Sequence, residues 1–172
     1  FDEVCKAAEK RGVRVTGSEL VGLIPLKSML DAGKYFLKKQ KRSTGISEDE
    51  IIKIAQKTMG LDEICEFNPN EKIIEYKIKE HKNSLCDLSL TQFVQETASE
   101  SPAPGGGSIS AYIGTLGAAL TTMVANLSSH KRGWDEKWEK FSILAEKGQR
   151  YITNLENMVD EDTNAFNAII DA

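Results

Sequence analysis

Two groups of residues have the types and spacings that chemistry needs. The first is the run Ser101-Pro-Ala-Pro-Gly-Gly-Gly-Ser108. Pro102 and Pro104 withhold backbone donors and stiffen the chain, while Gly105, Gly106 and Gly107 open dihedrals closed to any residue with a Cβ. The expected result is a stiff arm feeding a pliable elbow. It delivers Ser108 to the N-cap of the following helix and leaves neighbouring N–H groups pointing outward. Such a helix start suits an anion or a polar ligand edge, although the same run also fits an ordinary interhelical loop with a capping serine. The second group centres on Asp162, within Val159-Asp-Glu-Asp162-Thr-Asn-Ala165-Phe166. Asp162 falls three residues after Val159, four before Phe166 and seven before Ile169, inside an apolar helical stripe where leucine is expected. A carboxylate placed there either caps a neighbouring helix or serves chemistry, because burying it unpaired is costly. Asp160 and Glu161 fall off the stripe or at its margin and read as solvated or capping charges.

Other chemistries find little support. No Lys-Ser or Lys-Thr pair follows the last glycine of the elbow, so it is not a nucleotide-binding phosphate loop. His81 and His130 are the only imidazoles, and both sit in polar, loop-like surroundings with no partner at ligand or triad spacing. Cys5, Cys65 and Cys86 are odd in number and lack CxxC spacing. They indicate neither a disulfide framework nor a zinc site, and they fit a reducing, cytoplasmic compartment. A net charge of −4 argues against a general nucleic-acid binder, and small-molecule or protein partners fit better.

The elements that must position the elbow and Asp162 are helices. Ser89-Leu-Thr-Gln92 is a capping box opening a short helix whose apolar face is Leu90, Phe93, Val94 and Ala98, and which closes before Pro102. After the elbow, Ile109 to Ser129 forms a charge-free helix. Ile109, Tyr112, Ile113, Leu116, Leu120, Met123, Val124 and Leu127 mark one stripe, and Ala111, Gly114, Ala118 and Ala125 another side where a second helix can approach closely. Two such faces imply burial within the domain and against a partner subunit. The span is long enough to raise the membrane question, but its many Ser, Thr, Gly and Asn residues dilute its hydrophobicity, so no membrane span is expected. From Trp134 a long helix carries the stripe containing Asp162 to the end of the sequence.

The first half is mixed in pattern. Gly12-Val-Arg-Val-Thr-Gly17 alternates as a half-buried strand would. Pro25 suits a first helical position, with the helix continuing to about Gln40. Ser47-Glu-Asp-Glu50 opens another helix that ends at Gly60. Between Leu61 and Ile78 the signals conflict, with Asn68-Pro69 and Glu71 favouring helix and the alternation of Ile74, Tyr76 and Ile78 favouring strand. Helix is the reading adopted. The polar, aperiodic stretch from His81 to Asp87 divides the chain into residues 1–80, a linker over 81–87, and residues 88–172. The expected fold is therefore an α+β N-terminal part followed by an all-α helical domain. Residue 1 is Phe, and the pattern at Ala172 is still helical, which reads as a piece of a longer polypeptide.

Leu90-Thr-Gln-Phe93, the elbow, Ala111, Gly117-Ala-Ala-Leu120 and Met123-Val124 together resemble the start of the cyclodeaminase domain of the formimidoyltransferase-cyclodeaminase family. The segment from Val159 to Phe166 resembles that family's acidic helix. Val15-Thr-Gly-Ser-Glu-Leu-Val-Gly-Leu-Ile-Pro25 and Ile73-Ile74-Glu75-Tyr76 resemble the closing part of its transferase domain. The resemblance implies a folate enzyme of histidine breakdown. Its transferase moves a formimino group from N-formimino-L-glutamate to tetrahydrofolate, with or without a polyglutamate tail. Its cyclodeaminase closes 5-formiminotetrahydrofolate to 5,10-methenyltetrahydrofolate with loss of ammonia. It further implies that Asp162 is catalytic, that Pro104, Gly105, Gly106, Gly107 and Ser108 contact the folate, that no metal takes part, and that the helical domain forms a homo-oligomer. The transferase's catalytic histidine belongs to a subdomain outside this sequence, so neither His81 nor His130 inherits that role. Two other readings compete: a stand-alone cyclodeaminase-type protein, and a non-catalytic helical assembly module that keeps the elbow for packing.

Overall fold

Helices α1 (Asp2–Glu9), α2 (Leu26–Lys39), α3 (Glu48–Met59), α4 (Pro69–Lys72) and α5 (Ile74–Ile78) make up the first of two units in the computed structural model. The second contains α6 (Leu90–Thr97), α7 (Gly106–Ser129) and α8 (Trp138–Ile170), with short 3₁₀ turns at Leu85–Asp87 and Asp135–Lys137. The units comprise Phe1–Glu80 and His81–Ala172, and the structure describes residues 1–79 and 84–171. His81 and the start of the expected linker lie outside the described residues.

In the first unit α2 and α3 bury Met29, Ile52 and Ala55 against Leu61, Phe67 and Ile73. Helix α3 begins where its sequence directs, with Ser47 accepting from the Glu50 amide, and it ends at Gly60, whose left-handed conformation (φ +59°) suits a residue without a Cβ. Pro25 is the N-cap of α2, one residue outside the helix. The conflicting signals between Leu61 and Ile78 resolve into two short helices broken at Ile73. There the chain turns extended and makes an isolated parallel bridge to Ile24, with Ile24 N–H donating to the Lys72 carbonyl (2.9 Å) and Ile74 N–H to the Ile24 carbonyl (3.0 Å).

The expected strand over Gly12–Gly17 does not form, and the described residues contain no β-strand. Gly12 is spent on ending α1: its φ of +71° turns the chain so that Val13 N–H reaches the Ala8 carbonyl (3.1 Å). The residues after it have no neighbouring strand to complete a ladder, and a lone strand leaves its backbone groups unpaired. They run past the end of α3, where Ser18 donates from its amide to the Gly60 carbonyl (3.1 Å) and from its hydroxyl to the Met59 carbonyl (2.7 Å). The first half is thus helical with extended connections. Its α+β character is not visible in the described residues.

In the second unit the capping box at Ser89 and Gln92 forms in full. Helix α7 starts at Gly106, three residues earlier than the spacing predicts, with Gly105 as N-cap. Helix α8 starts at Trp138, after a 3₁₀ turn in which Trp134 stacks on Phe141 (5.4 Å between centroids) and Lys131 and Lys137 lie over its ring. By length and lack of charge α7 could cross a membrane. The helix packed against it carries Glu146, Lys147, Arg150, Glu156 and Asp160, which the hydrocarbon of a bilayer would exclude.

Candidate active site

The face that α7 turns to α8 repeats every seven residues. Ser108, Thr115, Thr122 and Ser129 form one row and Ala111, Ala118 and Ala125 the other, and all but the half-buried Ala118 are buried. Small side chains at this 3-and-4 spacing let the helices approach closely. At Gly148 of α8 a Cβ would overlap the Thr122 hydroxyl, and at Gly114 of α7 one would touch Leu155 (3.5 Å). Hydroxyls buried at such a contact need acceptors. Thr115, Thr122 and Ser129 find them in their own helix, at the carbonyls of Ala111, Ala118 and Asn126.

Ser108 differs from the other three because its hydroxyl reaches across to α8. It donates to the Val159 carbonyl (2.8 Å) and lies 3.1 Å from both Asp162 Oδ2 and Thr163 Oγ1. The earlier helix start explains this: Ser108 is the third residue of α7 and not its N-cap, so its side chain points sideways at the neighbouring helix. Its amide, one of the donors that a helix start leaves unpaired, goes to Asp162 Oδ2 at 2.9 Å. Asp162 therefore caps α7 from 54 residues away, and the favourable end of the α7 dipole faces its charge.

The carboxylate lies over Gly107. A Cβ on that residue would sit 2.5 Å from Asp162 Cγ and 2.6 Å from Oδ2, and would overlap Oδ1 outright. Oδ1 itself has no hydrogen-bond partner among the described residues, and neither have the amides of Gly106 and Gly107. Gly106, Gly107 and Asp162 are exposed, while Ser108 is fully buried beneath them. Pro104, whose peptide bond with Ala103 is cis, is buried at the base of the elbow, and Gly105 is half-buried. Phe93, Ala111 and Val159 form the apolar floor, with the Tyr112 ring 5.0 Å from that of Phe93. One end of the hairpin thus presents a free carboxylate oxygen beside two free backbone donors.

Two family models match the chain. A model described as "Formiminotransferase domain" matches residues 1–79, and one described as "Formiminotransferase-cyclodeaminase" matches residues 89–172. The whole chain is 37% identical to the formimidoyltransferase-cyclodeaminase of Mus musculus and 37% identical to that of Gallus gallus, and covers 32% of the length of each. The chain belongs to the formimidoyltransferase-cyclodeaminase family. Over 84 residues, 49% of this chain, it is also 34% identical to a methenyltetrahydrofolate cyclohydrolase of Methylorubrum extorquens, covering 40% of that protein. The chain thus spans about a third of the length of the bifunctional relatives it matches.

Within this family member the residues singled out from sequence, Pro104 to Ser108 and Asp162, meet at one end of the α7–α8 hairpin. His130 stands apart from them, exposed at the far end of α7. One further residue was missed, while Asp160 takes the capping alternative of its reading. Thr163 touches the Ser108 hydroxyl, and no local pattern marks it. Asp160 is a second long-range cap: its carboxylate accepts from the Leu85 amide (2.8 Å) and the Ser84 hydroxyl, tying the 3₁₀ turn to α8. The Cys86 thiol beside it donates to the Glu156 carbonyl (3.5 Å), and burial, helped by the charges of Asp160 and Glu156, pushes its pKa up. The seven-residue row of hydroxyls on α7 was legible in the sequence and would have placed Ser108 on the α8 side.

Proposed function

We propose that this chain is part of a bifunctional folate enzyme of histidine degradation, joining the closing part of a formimidoyltransferase domain to the opening part of a cyclodeaminase domain. The observation that carries the reading is the convergence of a free carboxylate oxygen and two free backbone amides at the start of α7. A pterin offers both a carbonyl acceptor and N–H donors along one edge, so the elbow from Pro104 to Ser108 suits its recognition. The missing side chains of Gly105 and Gly106 let a flat ring come close. A glutamate tail, single or multiple, would extend from the ring.

Ring closure in 5-formiminotetrahydrofolate requires N10 to attack the amidine carbon and the terminal nitrogen to leave. From the protonated amidine, the C–N10 bond forms, the bond to the terminal nitrogen breaks, and the proton lost by N10 matches the one gained by the departing NH₂, giving ammonia and the methenyl cation. A carboxylate that accepts the first proton and delivers the second serves both halves by general acid–base catalysis. Asp162 Oδ1 is the group of this chain suited to the task.

In the first unit, the extended residues after Gly12 and the isolated Ile24–Ile73 bridge fit the margin of an α+β transferase domain whose strands lie elsewhere in the longer protein. The exposed stripe of α7, in which Ile113, Leu120 and Leu127 are each more than 60% accessible, suits burial against further helices and a second subunit, in a homo-oligomer of the cytoplasm. The test is to supply the complete polypeptide with N-formimino-L-glutamate and tetrahydrofolate and follow glutamate, ammonia and 5,10-methenyltetrahydrofolate. Formation of all three is expected. Saturable folate binding without turnover would leave only a binding protein, and no folate binding would favour the helical assembly module.

A further inference from the structure

The two oxygens of Asp162 occupy different environments. Oδ2 accepts from the Ser108 amide at 2.9 Å and lies 3.1 Å from its hydroxyl, whose single proton is shared with the Val159 carbonyl. Oδ1 has no partner among the described residues and sits in the space that a side chain on Gly107 would fill. We infer that Gly107 is a positioning residue for Asp162: its missing side chain makes the seat in which Oδ1 is presented, while Ser108 anchors Oδ2. This inference rests on the proposed role of Asp162 in ring closure.

The geometry separates this role from folate contact. A glycine kept for a ligand's approach would show its value in affinity, because an added methyl group would meet the ligand. Here the first atoms such a methyl group meets belong to Asp162, with Cγ at 2.5 Å. The neighbouring α7 glycines that are equally exposed differ: added Cβ atoms at Gly106 or Gly117 meet nothing within 4 Å. Gly107→Ala must therefore turn the carboxylate, move it off Ser108 or shift α7. All three change where Oδ1 lies, and displacing a reacting group by about 1 Å can cost on the order of 100-fold in rate.

The experiment is a double-mutant cycle in the complete polypeptide, assaying conversion of supplied 5-formiminotetrahydrofolate. Gly107→Ala should lower kcat roughly 10- to 100-fold while KM stays within about threefold. Gly117→Ala, a glycine removed from the same helix but away from the site, should keep both. In an Asp162→Ala background the methyl group has room, so adding Gly107→Ala should cost no further turnover. It should also leave the thermal midpoint unchanged or raise it, whereas in the native background it lowers the midpoint. The melting cycle needs no activity and remains readable where Gly107→Ala alone folds poorly. Near-normal kcat in Gly107→Ala, a raised KM as its main effect, or the same loss in both backgrounds would overturn the positioning role. If Asp162→Ala itself keeps full turnover, the underlying reading of Asp162 fails instead.

Discussion

Helices α2 and α7 begin in the same way and end up differently equipped. Their N-caps, Pro25 and Gly105, make no side-chain cap, and each helix start is closed by a carboxylate from far along the chain. Glu75 accepts from the Leu26 amide at 2.7 Å across 49 residues, and Asp162 accepts from the Ser108 amide at 2.9 Å across 54. At α2 the carboxylate makes that single bond next to the Ile24–Ile73 bridge, which already fixes the chain there. At α7 the amide bond is joined by a buried serine hydroxyl and by a seat cut into the backbone, and it leaves one oxygen free. A cap needs one bond. The additional constraints at Asp162 fix the position of an atom that the fold itself does not use, as chemistry on that atom requires.

Widening the α7–α8 contact gives the largest expected effect on stability. Gly148→Leu would drive a side chain into Thr122 and should cost about 1–3 kcal/mol through overpacking, measured by denaturant unfolding of the complete polypeptide. Because the seat of Asp162 depends on the same close approach, cyclodeaminase turnover should fall with it. A stable variant with full turnover would show that the hairpin spacing does not set the site.

The α2 cap should be worth less. Glu75→Gln keeps a hydrogen-bond acceptor but removes the charge from the helix start, a loss of about 0.5–1 kcal/mol. A loss several times larger would mean that Glu75 is as strongly built in as Asp162, and the contrast would collapse.

The smallest effect concerns α1, tied to α2 by Asp2, which accepts from Lys39 (2.8 Å) and from the Tyr35 hydroxyl (2.8 Å). Lys39 first, and then Tyr35, hold the Asp2 carboxyl below its ordinary value, while Asp2 raises Lys39. A lowered carboxyl pKa stabilises the fold above the unfolded value of about 4, and this contribution is lost as the pH falls through the folded value. For Lys39 the contribution is present below about 10.4 and lost as the pH rises past the folded value. The protection of α1 amides, measured against the intrinsic exchange rate at each pH, should therefore fall below about pH 4, and Asp2→Asn should show the same loss of protection at neutral pH. Unchanged α1 protection across the acid range would assign its docking to apolar contacts.

Local signals account for much of what the sequence disclosed. The Ser47 and Ser89 caps and the Gly60 terminus are decided by residues within one turn, and they form where the sequence puts them. The elbow and Asp162 stood out because each breaks a local pattern. What could not be read was pairing at a distance. A strand over Gly12–Gly17 depends on a partner that the alternation cannot supply, and the choice of Glu75, Asp160 and Asp162 as caps is made by packing across 49 or more residues. The start of α7 was misplaced for a related reason. Glycines are poor helix formers in isolation, but Gly106 and Gly107 are drawn into the first turn where Asp162 closes it.

The account's central claim is that the Asp162 carboxylate moves protons during ring closure and is more than a cap. The measurement that tests it is formation of 5,10-methenyltetrahydrofolate from supplied 5-formiminotetrahydrofolate by Asp162→Asn in the complete polypeptide, with Glu75→Gln as the matched loss of a capping charge. The amide can still accept from Ser108, so the shape of the elbow and much of the folate affinity should survive while turnover falls about 10²–10⁴-fold, with Glu75→Gln near normal. Near-normal turnover by Asp162→Asn would contradict the claim and leave Asp162 with the same purely structural duty as Glu75.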